Sequence, residues 1–141
     1  PGGGGEVQAV IQVAAGIVVH EGCYLITKRK EGTHLAGLWE FPGGKREPGE
    51  TMVACLRREL REELELDIDQ PTPYRIVQHA YPEKSVELHF FLCRATSSQV
   101  EAKGCAEFRW VRPEQLAEYA FPPADTSLIS ELGQGVKECA G

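Results

Sequence analysis

The chain has 141 residues, 42% of them hydrophobic and 26% charged, which suits one domain around one hydrophobic core. Its formal net charge of −6 argues against a general nucleic-acid-binding surface, so binding phosphates would need a local device such as a metal ion. Five cysteines, an odd count without a CxxC pair, argue against a disulfide framework or zinc site and for a reducing cytoplasm, and no apolar run approaches the roughly 20 residues of a membrane span.

Residues 1–6 read as a flexible leader and 7–141 as a single domain. Val7–Val19 is rich in valine and isoleucine and predicts a buried strand. A Glu21-Gly22 turn leads to a second strand, Cys23–Thr27. Lys28–Leu38 is a polar loop, and Trp39–Phe41 is a short apolar piece ended by Pro42-Gly43-Gly44. A helix follows, with Glu50 or Thr51 as its cap and Met52/Val53, Leu56, Leu60 and Leu64 as its apolar stripe. Asp67–Pro73 breaks it. Tyr74–Tyr81 and Val86–Arg94 predict strands joined by a turn at Pro82–Ser85, and Glu107–Val111 alternates as a further strand. Pro113 opens a short helix (PEQLAEY), Phe121–Asp125 is a rigid loop, and Ser127–Glu138 is a last helix weakened by Gly133 and Gly135. This order predicts an α/β fold with a mixed sheet between helices.

The charge pattern of the first helix carries the chemistry. Glu59, Glu62 and Glu63 are three and four residues apart and share one face, beside the leucine stripe. Like charges so placed repel by about 0.2–0.5 kcal/mol per pair. Arg57–Arg61 could simply neutralise them on a solvated face, the usual meaning of alternating charge. A hard divalent cation with oxygen ligands would turn the repulsion into binding. The flanking residues favour the second reading: Gly43-Gly44 allow close backbone approach to a ligand, and Lys45 is a point charge for a phosphate.

With these residues in place, Gly44–Leu66 resembles the Nudix box, G-x5-E-x7-R-E-U-x-E-E-x-G-U, with U a bulky apolar residue. Gly44, Glu50, Arg58-Glu59-Leu60, Glu62-Glu63 and Leu66 match it. Glu65 stands where the family has its second glycine, which touches the helix exit and removes no ligand. Trp39–Lys45 (WEFPGGK) and Phe121–Asp125 (FPPAD) are similar to segments of the MutT-like branch, and the resemblance covers about residues 7–132. It implies an α/β/α sandwich. It implies Mg²⁺, or Mn²⁺ in its place, held by Glu59, Glu62, Glu63 and the Gly43 carbonyl, with Glu107 as a further carboxylate and Arg58 and Glu50 orienting the glutamates.

The implied reaction is hydrolysis of a nucleoside triphosphate to a monophosphate and pyrophosphate, with Glu59, Glu107 or Glu50 as candidate base. Arg29, Leu38, Phe41, Phe121 and Asp125 are the expected contacts to the nucleobase, and Lys45 to phosphate. Asp125 stands where the 8-oxo-dGTP-hydrolysing members have asparagine. An asparagine donates and accepts, whereas an ionised aspartate only accepts and suits cytosine N4. Branch similarity favours 8-oxo-dGTP, with CTP, dCTP or a modified-cytosine nucleotide as the alternative. A non-catalytic nucleotide-sensing domain would usually have lost box glutamates. The expected partner is a small nucleotide, without nucleic acid or membrane, and the expected state is a cytoplasmic monomer or weak homodimer. His34 reads as a surface residue, and His79 and His89 as packing residues in strands.

Overall fold

The computed structural model describes residues 9–134; the leader, the first residues of the expected first strand and the tail of the last helix with Cys139 lie outside them. Strand β1 (Ala9–His20) alternates Ala14 and Val18 on one face with Ala15, Ile17 and Val19 on the other, so it is buried on both sides. It turns at Glu21-Gly22 into β2 (Cys23–Lys28), pairing Val19 with Tyr24. β1 and β2 then diverge. Two short strands fill the gap: β3 (Trp39–Glu40) pairs with β2 and β4 (Gly43–Lys45) with β1.

β4 is a strand where the sequence reads as a terminator. The reason is the glycines themselves: a Cβ on Gly43 would lie 1.8 Å from the Ala14 carbonyl oxygen, so only glycine lets the strap close onto β1. On the other edge of β1 runs β6 (Lys84–Arg94), parallel and in continuous register from Ala9–Lys84 to Val19–Arg94. β5 (Thr72–Ala80) pairs antiparallel with β6 and starts earlier than expected, with an irregularity between Pro73 and Arg75. β7 (Glu107–Val111) pairs with β2.

Helix α1 (Met52–Leu64) covers one face of this mixed sheet. Thr51 caps it, its side chain accepting from the Ala54 amide, and Cys55, Leu56, Leu60 and Leu64 are its buried residues. Each leucine so buried contributes about 1.5–3 kcal/mol. The other face is covered by 3₁₀ turns at Pro113–Glu118 and Pro123–Asp125 and by α2 (Thr126–Leu132), through Leu116, Leu128 and Leu132. The layers are therefore the α/β/α sandwich expected. The Pro113 segment is 3₁₀ rather than α, and α2 stops at Leu132, its C-cap Gly133 at the first of the two glycines that weakened it in sequence.

Glu65 ends α1 in the left-handed region at φ 52°. Its amide donates to Arg61 O and the Leu66 amide to Leu60 O, the bonding that glycine usually serves at a helix end. A side chain there is strained by about 1 kcal/mol. We expect Glu65→Gly to be more stable than Glu65→Ala by about that amount in urea denaturation. Equal midpoints would show that the left-handed turn is not strained.

Candidate active site

The strap between β3 and β4 brings the box loop against α1. A Cβ on Gly44 would lie 2.3 Å from Glu59 Cδ and Oε1, so the absence of a side chain lets that carboxylate rest on the strap. Arg58 ties the two segments together. Its Nε donates to Glu50 Oε2 (2.6 Å) and Nη2 to Glu50 Oε1 (3.1 Å), a two-point pair. Nη1 donates to Glu59 Oε2 (2.9 Å) and Glu62 Oε1 (3.1 Å), and Nη2 also reaches the Lys45 carbonyl (3.0 Å).

These contacts sort the carboxylates. The hydrogen bonds from Arg58 and the Glu47 amide hold Glu50 down at about 2, so it is a poor proton acceptor. Burial raises Glu59, against the opposing pull of Arg58. Burial pushes Glu63 up to about 8, reinforced by the nearby charges of Glu40 and Glu59. Glu63 Oε1 is buried without a hydrogen-bond partner, while Glu62 is largely exposed.

Among the described residues no three acidic, His or Cys side chains already converge on one point. The donor set nonetheless fits a hard divalent cation: Glu59 and Glu63 are desolvated oxygen donors one turn apart, and one oxygen of Glu63 lacks any counterpart. Gly43 lies beside them, its amide bonding toward Glu63. Glu107 does not join this group. It pairs with Lys28 (3.8 Å) and Arg109 (2.6 Å), and its neighbours Phe108 and Trp110 pack beneath α1, so strand alternation turns Glu107 to the opposite face.

A cavity of about 400 Å³ opens next to the strap, within the size range of small-ligand sites. Gly43, Gly44 and Lys45 form its side toward the carboxylates, Phe41, Phe90 and Leu88 an apolar wall, and Pro122, Ala124 and Asp125 the far end. Arg29 also lines it, with Nη1 on Glu40 (3.0 and 3.3 Å) and Nε on the His34 carbonyl. Two expected contacts lie outside this lining. Leu38 is not in the wall; its carbonyl instead accepts from the Arg29 amide. Phe121 supports Phe41 from outside the wall, ring centres 5.6 Å apart.

The structure adds residues that sequence reasoning passed over. Glu40 lines the cavity, its carboxyl raised by burial and close enough to Glu63 and Asp125 to feel both charges. His79 lines it too, rather than merely packing, and so does His34; both set their rings against Tyr81, at 4.5 and 5.5 Å. With Lys84 they close the end formed by the β5–β6 turn. The one available signal was alternation along β5, which puts Val77 and His79 on one face.

Comparison with known proteins agrees with this geometry. The NUDIX domain model matches residues 13–131. The 8-oxo-dGTP diphosphatase of Haemophilus influenzae is 38% identical over 124 residues, 87% of this chain and 91% of that protein. The CTP pyrophosphohydrolase of Escherichia coli is 32% identical over 120 residues, covering 85% and 89%. A MutT structure from work on Aliivibrio salmonicida and Vibrio cholerae superposes with a TM-score of 0.74 at 28% identity, covering 89% of this chain and 98% of that one. The chain belongs to the Nudix family and is a Nudix hydrolase. No helix among the described residues is long and apolar enough to cross a membrane.

Asp125 gives a pH-dependent prediction. It is 6% exposed, Oδ1 has no partner, and burial raises its carboxyl from 3.8 to about 6. The folded state therefore holds its proton more tightly than the unfolded chain. This contribution is fully present below pH 3.8 and lost as pH rises through about 6, a difference of about 3 kcal/mol. Asp125→Asn should remove the loss, so the variant gains stability over the parent by up to that amount between pH 4 and 7.5. A constant difference across that range would show that Asp125 is not held neutral by burial.

Proposed function

We propose that this Nudix hydrolase is a MutT-like nucleoside triphosphate pyrophosphohydrolase that releases a monophosphate and pyrophosphate. The observation that carries the reading is the strap Trp39–Lys45. One short segment joins an apolar, polar-ended cavity at Phe41 to the carboxylate face of α1 at Gly44. The base would lie against Phe41 with its edge toward Asp125, and the phosphates would extend past Lys45 toward Glu59 and Glu63.

Glu59, Glu62 and Glu63, with the Gly43 carbonyl, would hold Mg²⁺ or Mn²⁺. When bound, that cation neutralises phosphate charge and makes water a better nucleophile. Arg58 keeps Glu59 and Glu62 oriented and makes Glu50 a structural anchor. Of the three candidate bases, Glu50 is too acidic and Glu107 is taken up by ion pairs with Lys28 and Arg109, so Glu59 would take the proton, at the oxygen resting on Gly44.

The preferred substrate is 8-oxo-dGTP, the reading supported by the similarity to the Haemophilus influenzae diphosphatase; Asp125 would both donate and accept only in its protonated form, held below about pH 6. Its role would be cleansing of the nucleotide pool in the cytoplasm. Cytosine triphosphates are the second reading, supported by Asp125 as an ionised acceptor and by the Escherichia coli CTP pyrophosphohydrolase.

Product analysis with Mg²⁺ and 8-oxo-dGTP, dGTP, CTP, dCTP and 5-methyl-dCTP tests both. We expect monophosphate plus pyrophosphate, fastest from 8-oxo-dGTP, and a loss of roughly 10²–10⁴-fold in Glu59→Gln. Preference for the cytosine substrates would transfer the assignment to the second reading. No turnover of any triphosphate would remove the MutT-like assignment.

A further inference from the structure

The segment before β7 makes contacts that a surface loop does not need. The amides of Lys103 and Gly104 both donate to the Glu63 carbonyl, at 2.8 and 3.0 Å, and the Glu101 amide donates to the Leu64 carbonyl at 3.0 Å. These are carbonyls of the last turn of α1, which lack partners within the helix. Lys103 Nζ also pairs with Glu65 Oε2 at 2.9 Å, so the residue standing in place of the box glycine ties the same loop down.

Gly104 lies directly on Glu63. A Cβ there would lie 2.9 Å from Glu63 Cγ and 3.2 Å from its Cα. Gly104 is not in the left-handed region, so its own backbone tolerates a side chain and only the contact with Glu63 forbids one. The Cα of Glu63 is fixed by the helix. Any group added at 104 therefore presses on Glu63 from Cα to Cγ and disturbs the seating of a side chain whose Oε1 is buried and unpartnered.

We propose that Glu101–Gly104 is a positioning segment that seats the Glu63 carboxylate for the cation, so that the C-terminal cap of α1 and the catalytic face are one unit. This rests on the reading of Glu63 as a cation-holding residue. Coupling of this kind is reciprocal: a segment that favours the binding geometry of Glu63 must itself be favoured when the cation binds.

Three measurements test it. First, Mn²⁺ titration by EPR without nucleotide should show Gly104→Ala binding at least about tenfold more weakly than the parent, a range typical of lost support behind a metal ligand. Second, kcat should fall by a similar factor with KM for the nucleotide nearly unchanged. Third, hydrogen exchange in the parent needs no variant: the Lys103 and Gly104 amides should be protected and exchange more slowly still with saturating Mg²⁺. A folded Gly104→Ala with unchanged Mn²⁺ affinity and kcat would overturn the proposal, as would amides at 103 and 104 that exchange as freely as open loop or ignore Mg²⁺. Absence of Mn²⁺ binding by the parent would overturn the cation reading of Glu63 itself, and the proposal with it.

Discussion

The guanidinium of Arg58 is the contact on which the site depends. One planar group with five donors meets both oxygens of Glu50, one oxygen each of Glu59 and Glu62, and the Lys45 carbonyl. Without it, the box loop and the helix would carry several unneutralised carboxylates against each other. Arginine is suited to this and lysine is not, because a point charge cannot satisfy a two-point pair and three further acceptors at fixed angles. The same contact divides the labour: Glu50 is consumed as an anchor, and Glu59 and Glu63 stay raised and available.

The strap from Trp39 to Lys45 converts that local arrangement into a site. Trp39 packs in the core cluster beneath α2 and its amide donates to the Ala120 carbonyl, two residues before the Pro122–Asp125 end of the cavity. Phe41 forms cavity wall, Glu40 holds Arg29, and Gly43 and Gly44 let the backbone close on β1 and on Glu59. Seven residues thus fix the distance between the apolar cavity and the carboxylate face of α1. Burial does the rest, since removing water raises Asp125 and Glu40 in the cavity and Glu63 within reach of the Glu40 charge.

Much of this is legible in the chain, because local physics decides it. The leucine spacing of α1, its Thr51 cap and the shared face of Glu59, Glu62 and Glu63 follow from the helical period alone. β4 was hidden because two glycines look like a turn until β1 lies beside them. Glu40 was hidden because its importance comes from Arg29, Glu63 and Asp125, all distant in sequence. His79, Tyr81 and Lys84 enter the cavity only through the parallel pairing of β6 with β1, a long-range choice that no local pattern encodes. Glu107 stands apart from Glu59 and Glu63 for a reason visible in the sequence: in EFRWV, if Phe108 and Trp110 face α1, Glu107 lies on the other face of the strand.

On this reading the carboxylate face of α1 and the cavity beside the strap form one site. This is tested most directly by anomalous diffraction from crystals grown with Mn²⁺ and the monophosphate product. An anomalous peak is expected within ligand distance of Glu59 and Glu63 in the same molecule that holds the base between Phe41 and Asp125. A peak at another set of residues, or a nucleotide bound away from that cavity, would contradict it.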